Sequence, residues 1–213
     1  MEKIKKYDGI ILDIDGTIWN TTEVVASAWN KAIVASGLAA KKVDAPSLQK
    51  EFGKTMDVIA SDLWPELGEK EKKYLMDLCC SYEQKELEEC NWNICYPNVV
   101  ESIKALSADY DFYVVSNCQK GYIELMLKKT GLEPCIKDFE CYGNTLKGKA
   151  ENLRAIVGRN KLKSPLYVGD TQGDCDSCRQ VGVPFVWASY GFGKADSCLF
   201  ELIDFSLLEK ILG

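Results

Sequence analysis

The chain has 213 residues, of which 46% are hydrophobic and 27% charged, which is enough for one large domain or for a domain with a smaller insert. Its formal net charge of −6 and its lack of a basic block argue against nucleic acids and anionic membranes as partners. The charged start and the short apolar stretch that Asp13 interrupts predict neither a signal peptide nor a membrane span, so we expect a cytoplasmic protein.

Short apolar runs of strand length recur along the chain. The first covers residues 7–14 and is followed by a break at Gly16. Similar runs, the second of them weaker, occur at residues 111–116, 136–142, 164–170 and 184–188. Helical patterns separate them at residues 99–106, 121–130, 149–157 and 171–181. This alternation predicts an α/β fold, with a doubly wound parallel sheet covered by helices on both faces.

Residues from about 20 to 95 interrupt this alternation and have helical patterns throughout. These patterns cover residues 22–37, 56–64 and 69–89. Pro46, Gly53 and Pro65 lie between or beside them.

The interruption predicts two domains. We expect an α/β core from residues 1–18 and 96–213, and an all-helical cap, residues 19–95, inserted after the first strand. The connecting hinges are predicted near residues 18–21 and 91–96.

The histidine and cysteine content limits the catalytic mechanisms and metal sites that the chain can have. The chain has no histidine, which excludes Ser-His-Asp and Cys-His catalysis and zinc sites with imidazole ligands. The ten cysteines, in a chain without an export signal, indicate reduced thiols. Cys175 and Cys178 form one C-x-x-C pair without a second pair of ligands, which favours two thiols on one helix face over a metal or redox site.

Two carboxylates, Asp13 and Asp15, stand where the first apolar run ends. Alternate residues of an extended chain point the same way, so these carboxylates would repel each other and be poorly solvated. Mg²⁺ prefers oxygen ligands and would resolve the conflict. Gly16 lets the backbone turn its amides towards an anion, although Asp-Gly is also a common turn pair.

The ends of later apolar runs carry further polar side chains. In open α/β sheets ligands bind beyond the carboxyl ends of the strands, so these side chains should lie near Asp13. Ser116 and Asn117 offer a hydroxyl and an amide to phosphoryl oxygens, and Asp170 and Asp174 offer two more carboxylates near a helix start. Taken singly, each is also typical of an ordinary loop or helix cap.

Taken in order, these residues resemble the four motifs of the haloacid dehalogenase superfamily. Residues 13–17 resemble the first motif, Ser116 the second, Lys149 the third, and Asp170 with Asp174 the fourth. Lys149 is preferred to Lys147 because it opens the helical pattern directly. The resemblance covers nearly the whole chain, and the helical insert resembles the cap of the subgroup that includes phosphoglycolate phosphatases.

The resemblance implies a Rossmann-like core and a magnesium-dependent phosphatase that hydrolyses a small-molecule phosphate monoester. Asp13 would be the nucleophile that forms an aspartyl-phosphate, and Asp15 the general acid and base. Mg²⁺ would be held by Asp13, the backbone carbonyl of Asp15, Asp170 and Asp174. The phosphoryl group would be bound by Gly16, Thr17, Ser116, Asn117 and Lys149, with Ser116 and Lys149 also assisting catalysis.

Other functions remain open at this stage. A phosphomutase similar to β-phosphoglucomutase would share the aspartyl-phosphate, and a binding module could keep the fold without turnover. A dehalogenase would not need an acid at Asp15. Trp29, Trp64 and Phe52 are expected in the cap core, Trp19 is a weaker candidate substrate contact, and residues 190–193 resemble a loop that borders the family's active site. The substrate and the oligomeric state do not follow from the sequence.

Overall fold

One parallel sheet forms the centre of the molecule. The computed structural model describes residues 6–213, so the charged start of the chain, residues 1–5, lies outside the described part. The strands are β1 (Gly9–Leu12), β2 (Phe112–Ser116), β3 (Ile136–Cys141), β4 (Pro165–Gly169), β5 (Phe185–Ala188) and β6 (Phe200–Leu202). Their order in the sheet is β3-β2-β1-β4-β5-β6, and every neighbouring pair is parallel.

Burial explains why most strands could be predicted. Every residue of β1, β2 and β4 is buried, as expected of parallel strands that helices cover on both faces. Leu12 at the end of β1 pairs with Val114 in β2 and Val168 in β4, so the carboxyl ends of these three strands lie side by side. The doubly wound α/β class is confirmed. The short β6 was not predicted, and of its three residues only Leu202 is buried.

Helices cover both faces of the sheet. They are α5 (Val99–Leu106), α6 (Tyr122–Thr130), α7 (Tyr142–Thr145), α8 (Lys149–Arg159), α9 (Gln172–Val181) and α10 (Leu208–Leu212). Ile10 and Leu12 point into the core on one face of the sheet, and Ile11 points into the core on the other. The alternation along β1 therefore gives the sheet two separate apolar layers.

The residues between β1 and α5 form four helices with a core of their own. These helices are α1 (Thr22–Ser36), α2 (Ala45–Glu51), α3 (Met56–Leu63) and α4 (Glu69–Glu89). Trp29 and Trp64 pack in this core with ring centroids 6.1 Å apart. Pro46 lies in the first turn of α2, where a missing N–H costs little, and Asp44 with Ser47 caps that turn.

The two chain segments that enter and leave this helical unit are hydrogen-bonded to each other. The Asn20 amide donates to the Ile94 carbonyl at 2.7 Å, and the Tyr96 amide donates to the Ile18 carbonyl at 3.0 Å. Trp19 and Cys95 form an antiparallel bridge between these bonds. The segments lie in the regions predicted as hinges, while the domain boundaries themselves stay predictions.

The ten cysteines all lie in the described part of the chain and are free thiols. Cys175 and Cys178 are buried together on α9 against the sheet. Between residues 6 and 213, no helix is long and apolar enough to cross a membrane.

The separate core of the helical unit can be tested at two neighbouring positions of α4. Leu75 is fully buried in that core, whereas Tyr74 is 53% exposed. We expect Leu75→Ala to lower the free energy of unfolding by about 2–5 kcal/mol, because it removes buried methyl groups and leaves a cavity. Tyr74→Ala should change it by less than about 0.5 kcal/mol. Urea unfolding measures both, and equal effects of the two substitutions would contradict the assigned core.

Candidate active site

A pocket lies at the carboxyl edge of the sheet, between the α/β core and the helical unit. Its wall includes, among others, Asp13, Asp15 and Ser116 from the core and Phe52, Lys54 and Glu83 from the helical unit.

Three buried carboxylates lie together beside this pocket. Asp13, Asp170 and Asp174 each have an oxygen within 4.8 Å of the other two, and their side chains are almost entirely removed from solvent. Asp13 directly follows β1 and Asp170 directly follows β4, so the pairing of these adjacent strands brings the two carboxylates together. Oxygen-only ligands in such a cluster suit a hard cation such as Mg²⁺.

Lys149 is the cation within this cluster. Its ammonium lies 3.0 Å from Asp13 Oδ1 and donates a hydrogen bond to Asp174 Oδ1. Although burial opposes its charge, the two aspartates raise the pKa of Lys149 above its ordinary value. Lys147, the alternative for the third motif, is exposed. The structure thus places Lys149, at the start of α8, against the nucleophile candidate.

The three carboxylates differ in how they are stabilised. Burial raises the pKa of Asp13 to about 7 despite the nearby charge of Lys149. Burial also raises the pKa of Asp170 well above its usual range, and the neighbouring Asp174 and Asp13 add to this effect. For Asp174, burial favours the neutral form, but the charge and hydrogen bond of Lys149 and the hydrogen bonds from Thr171 together lower the pKa. The single ammonium therefore does not balance the negative charge of three carboxylates. A further positive charge would stabilise the ionised forms of Asp13 and Asp170.

Asp174 also holds the start of α9. Its Oδ2 accepts hydrogen bonds from the Thr171 amide at 3.0 Å and the Thr171 hydroxyl at 2.7 Å, which makes a capping box. Its Oδ1 accepts a hydrogen bond from the Tyr167 hydroxyl at 3.1 Å in addition to the one from Lys149. The protein's own donors thus fix both oxygens of Asp174.

Asp170 is held from one side by the loop that follows β5. The amides of Phe192 and Gly193 donate to Asp170 Oδ2 at 2.8 and 3.3 Å, while Oδ1 is buried without a hydrogen-bond partner. A Cβ on Gly191 would lie 2.3 Å from the Gly16 carbonyl oxygen, so only glycine permits this approach. The loop over residues 190–193, which the sequence indicated as a border of the site, therefore contacts Asp170 directly.

Asp15 also lines the pocket but is not part of the three-carboxylate cluster. Its Oδ1 accepts hydrogen bonds from Tyr122 at 2.7 Å, from Thr21 at 3.0 Å and from Trp19 Nε1 at 3.1 Å. Burial raises its pKa to about 6, and these three donors only partly oppose the shift. Trp19 is itself fully buried, so it positions Asp15 and does not present its ring to the pocket.

The expectation that Asp13 and Asp15 point the same way stays a prediction, although both residues line the pocket. The rule of alternate residues holds for an extended chain, but here the strand ends at Leu12. The amides of Thr17, Ile18 and Trp19 all donate to the Ile14 carbonyl, which turns the chain tightly. The side chain of Asp15 consequently lies outside the three-carboxylate cluster.

Of the other residues predicted to bind phosphate, two line the pocket and two do not. Ser116, the last residue of β2, and Asn117 line the pocket. The Asn117 side-chain amide donates to the Gly53 carbonyl of the helical unit at 2.8 Å, and its Oδ1 is buried without a partner. Gly16 has a φ of 81° and lies against Asp170. Thr17 is fully buried and is not among the residues that line the described pocket.

Sequence reasoning missed Glu83, a buried carboxylate of α4 that also lines the pocket. It accepts hydrogen bonds from Trp29 Nε1 at 2.7 Å and from Gln119 Nε2 at 2.8 Å. Burial raises its pKa to about 7, and the charge of Asp15 adds to this. The charged residues around it in the sequence indicate a solvated helix face, so no local signal distinguished it. Phe52 and Trp29, expected only in the cap core, line the pocket as well.

The raised pKa of Glu83 predicts a pH-dependent stability difference. The pKa in the folded state, about 7, lies above the ordinary 4.5, so the contribution of Glu83 to stability falls as the pH rises from 4.5 to 7. Glu83→Gln removes this loss, and its stability relative to wild type should increase over that range by on the order of 3 kcal/mol.

Urea unfolding at several pH values between 4.5 and 8 measures this difference. Glu89→Gln, at an exposed position of the same helix, is the matched control and should show no such trend. A difference between wild type and Glu83→Gln that stays constant with pH would contradict the burial of a titrating group.

Comparisons with known proteins agree with this geometry. The family model described as haloacid dehalogenase-like hydrolase matches residues 10–188. A phosphoglycolate phosphatase of Agrobacterium fabrum is 26% identical in an alignment of 192 residues that covers 85% of this chain and 80% of that protein.

Solved structures show the same fold over nearly the whole chain. A structure from Haemophilus somnus, described as a predicted phosphoglycolate phosphatase, is 25% identical with a TM-score of 0.84, and the match covers 99% of this chain and all of that one. A haloacid dehalogenase-like hydrolase from Streptococcus pneumoniae, 16% identical, has a TM-score of 0.82 and covers 98% of this chain and 99% of its own.

Proposed function

The chain belongs to the haloacid dehalogenase-like hydrolase family, and from that premise we propose that it is a magnesium-dependent phosphatase. It would hydrolyse the phosphate monoester of a small molecule through an aspartyl-phosphate on Asp13. The observation that carries this proposal is the convergence of Asp13 and Asp15, from the end of one strand, on a single small pocket.

The buried carboxylate cluster fits a magnesium ion. Asp170 Oδ1 is buried and has no hydrogen-bond partner, which is costly unless a cation binds there. Asp13 and Asp170 would hold the ion with the backbone carbonyl of Asp15, and Asp174 would orient this set. When bound, Mg²⁺ supplies positive charge that offsets the repulsion between the carboxylates and the phosphate.

The chemistry proceeds in two displacements at phosphorus. A carboxylate oxygen of Asp13 forms a bond to phosphorus while the bond from phosphorus to the leaving-group oxygen breaks. A water molecule then attacks the phosphorus of the aspartyl-phosphate, which releases inorganic phosphate and restores Asp13. Both steps place negative charge beside Lys149 and Ser116, which would hold the phosphoryl oxygens.

Asp15 would move the proton in both displacements. Its three hydrogen-bond donors all bind Oδ1, so Oδ2 is the oxygen that would carry the proton. In the first step Asp15 gives this proton to the departing oxygen, and in the second it takes a proton from the attacking water. The pKa of about 6 that burial produces suits a group that must alternate between these two states.

The helical unit would close the site and contribute to the choice of substrate. Its Gly53 carbonyl binds Asn117 of the core, and its Phe52 ring lies 5.9 Å from that of Phe192. Such contacts exclude water from the pocket around Asp13. The phosphatase relatives support a small phosphorylated metabolite as substrate, and we place the reaction in the cytoplasm.

The proposed nucleophile can be tested with para-nitrophenyl phosphate. Asp13→Asn should reduce Mg²⁺-dependent release of nitrophenol by at least about 1,000-fold, because an amide cannot form the aspartyl-phosphate. Asp111→Asn, at the opposite end of the sheet next to β2, makes the same charge change on an exposed side chain and should keep wild-type activity. Substantial turnover by Asp13→Asn would remove Asp13 from this role.

The magnesium site can be tested with and without turnover. Chelator should abolish hydrolysis by wild type, and added Mg²⁺ should restore it. Mg²⁺ should also raise the melting temperature of wild type, because an ion that binds only the folded state stabilises it. Asp170→Asn should lose this rise, whereas Asp111→Asn should keep it. Chelator-resistant hydrolysis, or an equal rise in Asp170→Asn, would contradict the assigned ligands.

A further inference from the structure

The part of the pocket that belongs to the helical unit contains a carboxylate, Glu83, that the proposed chemistry does not use. We propose that Glu83 selects the leaving group: it accepts hydrogen bonds from a hydroxyl or ammonium group on the leaving alcohol and disfavours leaving groups that carry a carboxylate. This inference rests on the proposed phosphatase function and adds the chemical class of its substrate.

Glu83 is built into the wall of the same pocket as the nucleophile. It is only 4% exposed, and it lines the pocket together with Asp13 and Asp15. Asp13 and Asp15 act at the phosphorus and at the bridging oxygen, so a group farther into the helical unit faces the rest of the substrate. The position of Glu83 on α4 therefore suits contact with the leaving alcohol.

The partners of Glu83 fix its orientation without neutralising it. Trp29 donates to Oε2 and Gln119 donates to Oε1, and both donors are uncharged. A carboxylate has about four acceptor positions, so two such bonds leave capacity for donors from a ligand. Burial, together with the charge of Asp15, raises its pKa to about 7, so Glu83 carries its negative charge above neutral pH.

The bond to Gln119 joins the helical unit to the core, but this link alone does not require a charge. A glutamine at position 83 could accept from Trp29 and donate to Gln119 if the Gln119 amide turned over, since an amide offers both groups. A neutral side chain would therefore be enough for the contact between the two units. A hydrogen-bond donor on the substrate would bind more strongly to a charged carboxylate, which accounts for the charge at this position.

The pocket offers little to bind a carboxylate on the substrate. Among the residues that line it in the described chain, Lys54 is the one with a positive charge. Its Nζ lies 2.7 Å from Glu51 Oε2 and 2.8 Å from Asp62 Oδ2, so Lys54 already forms ion pairs with two carboxylates. Phosphoglycolate carries a carboxylate on its leaving group and would meet Glu83 without a free cation to compensate the repulsion.

The test compares three esters of similar size with wild-type protein and Mg²⁺ at about pH 8.5, where Glu83 is ionised. Glycerol 3-phosphate offers hydroxyl groups, phosphoethanolamine offers an ammonium group, and phosphoglycolate offers a carboxylate. We expect kcat/KM for at least one of the first two to exceed that for phosphoglycolate by about 10-fold or more. The faster of the two identifies the donor. A preference for phosphoglycolate, or three values within about threefold, would overturn the proposal.

Variants then assign the preference to Glu83. Glu83→Gln should reduce the ratio of kcat/KM between the preferred ester and phosphoglycolate by about 10-fold. Glu89→Gln, an exposed position on the same helix, should keep the wild-type ratio. Circular dichroism and melting curves check that both variants fold, and a folded Glu83→Gln with the wild-type ratio would overturn the role. If Glu83→Gln does not fold, the wild-type preference alone decides.

Hydrolysis of para-nitrophenyl phosphate by wild type distinguishes a failure of the proposed phosphatase function from a failure of the role proposed for Glu83. A wild-type protein that releases no nitrophenol with Mg²⁺ contradicts the phosphatase function itself. One that releases nitrophenol but does not favour the donor-bearing esters contradicts only the assignment of Glu83.

Discussion

The structure places three buried carboxylates around a single lysine. Removing Asp13, Asp170 and Asp174 from water is costly, and Lys149 can compensate only part of their charge. The cluster therefore lowers the stability of the folded protein, and a bound cation would offset this cost. With a cation in place, the site would also lose much of its repulsion towards a phosphate.

The fold keeps these like charges together. Asp13 and Asp170 follow adjacent parallel strands in the middle of the sheet, where the backbone is fixed by ladders on both sides. Asp174 is tied to the first turn of α9 and Lys149 to the first turn of α8. A cluster built on loops would separate to relieve repulsion, whereas one built on rigid element ends cannot.

Much of this arrangement could be predicted from the sequence, because its signals are local. Strands buried on both faces appear as continuous apolar runs, and the residues that follow them reach one edge by topology alone. The family and the fold class inferred from Asp13, Ser116, Lys149 and Asp170 are confirmed, and the individual roles of these residues stay predictions. Lys149 and Lys147 are two residues apart, and the sequence could only rank them.

What could not be predicted depends on contacts distant in the chain. The direction of Asp15 follows from a tight turn on the Ile14 carbonyl and from Tyr122, 107 residues away. Glu83 has the local environment of a solvated helix residue, and only its bonds to Trp29 and Gln119 reveal its burial. Strand β6 is too short and too exposed to give a periodic signal.

The paired segments at Ile18–Asn20 and Ile94–Tyr96 have a consequence for how such proteins diversify. Because the chain enters and leaves the helical unit through two neighbouring segments, the unit is covalently joined to the core at one place, much as a domain inserted between adjacent termini is. Its length and helices can therefore change while the sheet beneath keeps its register. The contacts of Asn117 and Gln119 with the unit are the ones that such a change would have to preserve.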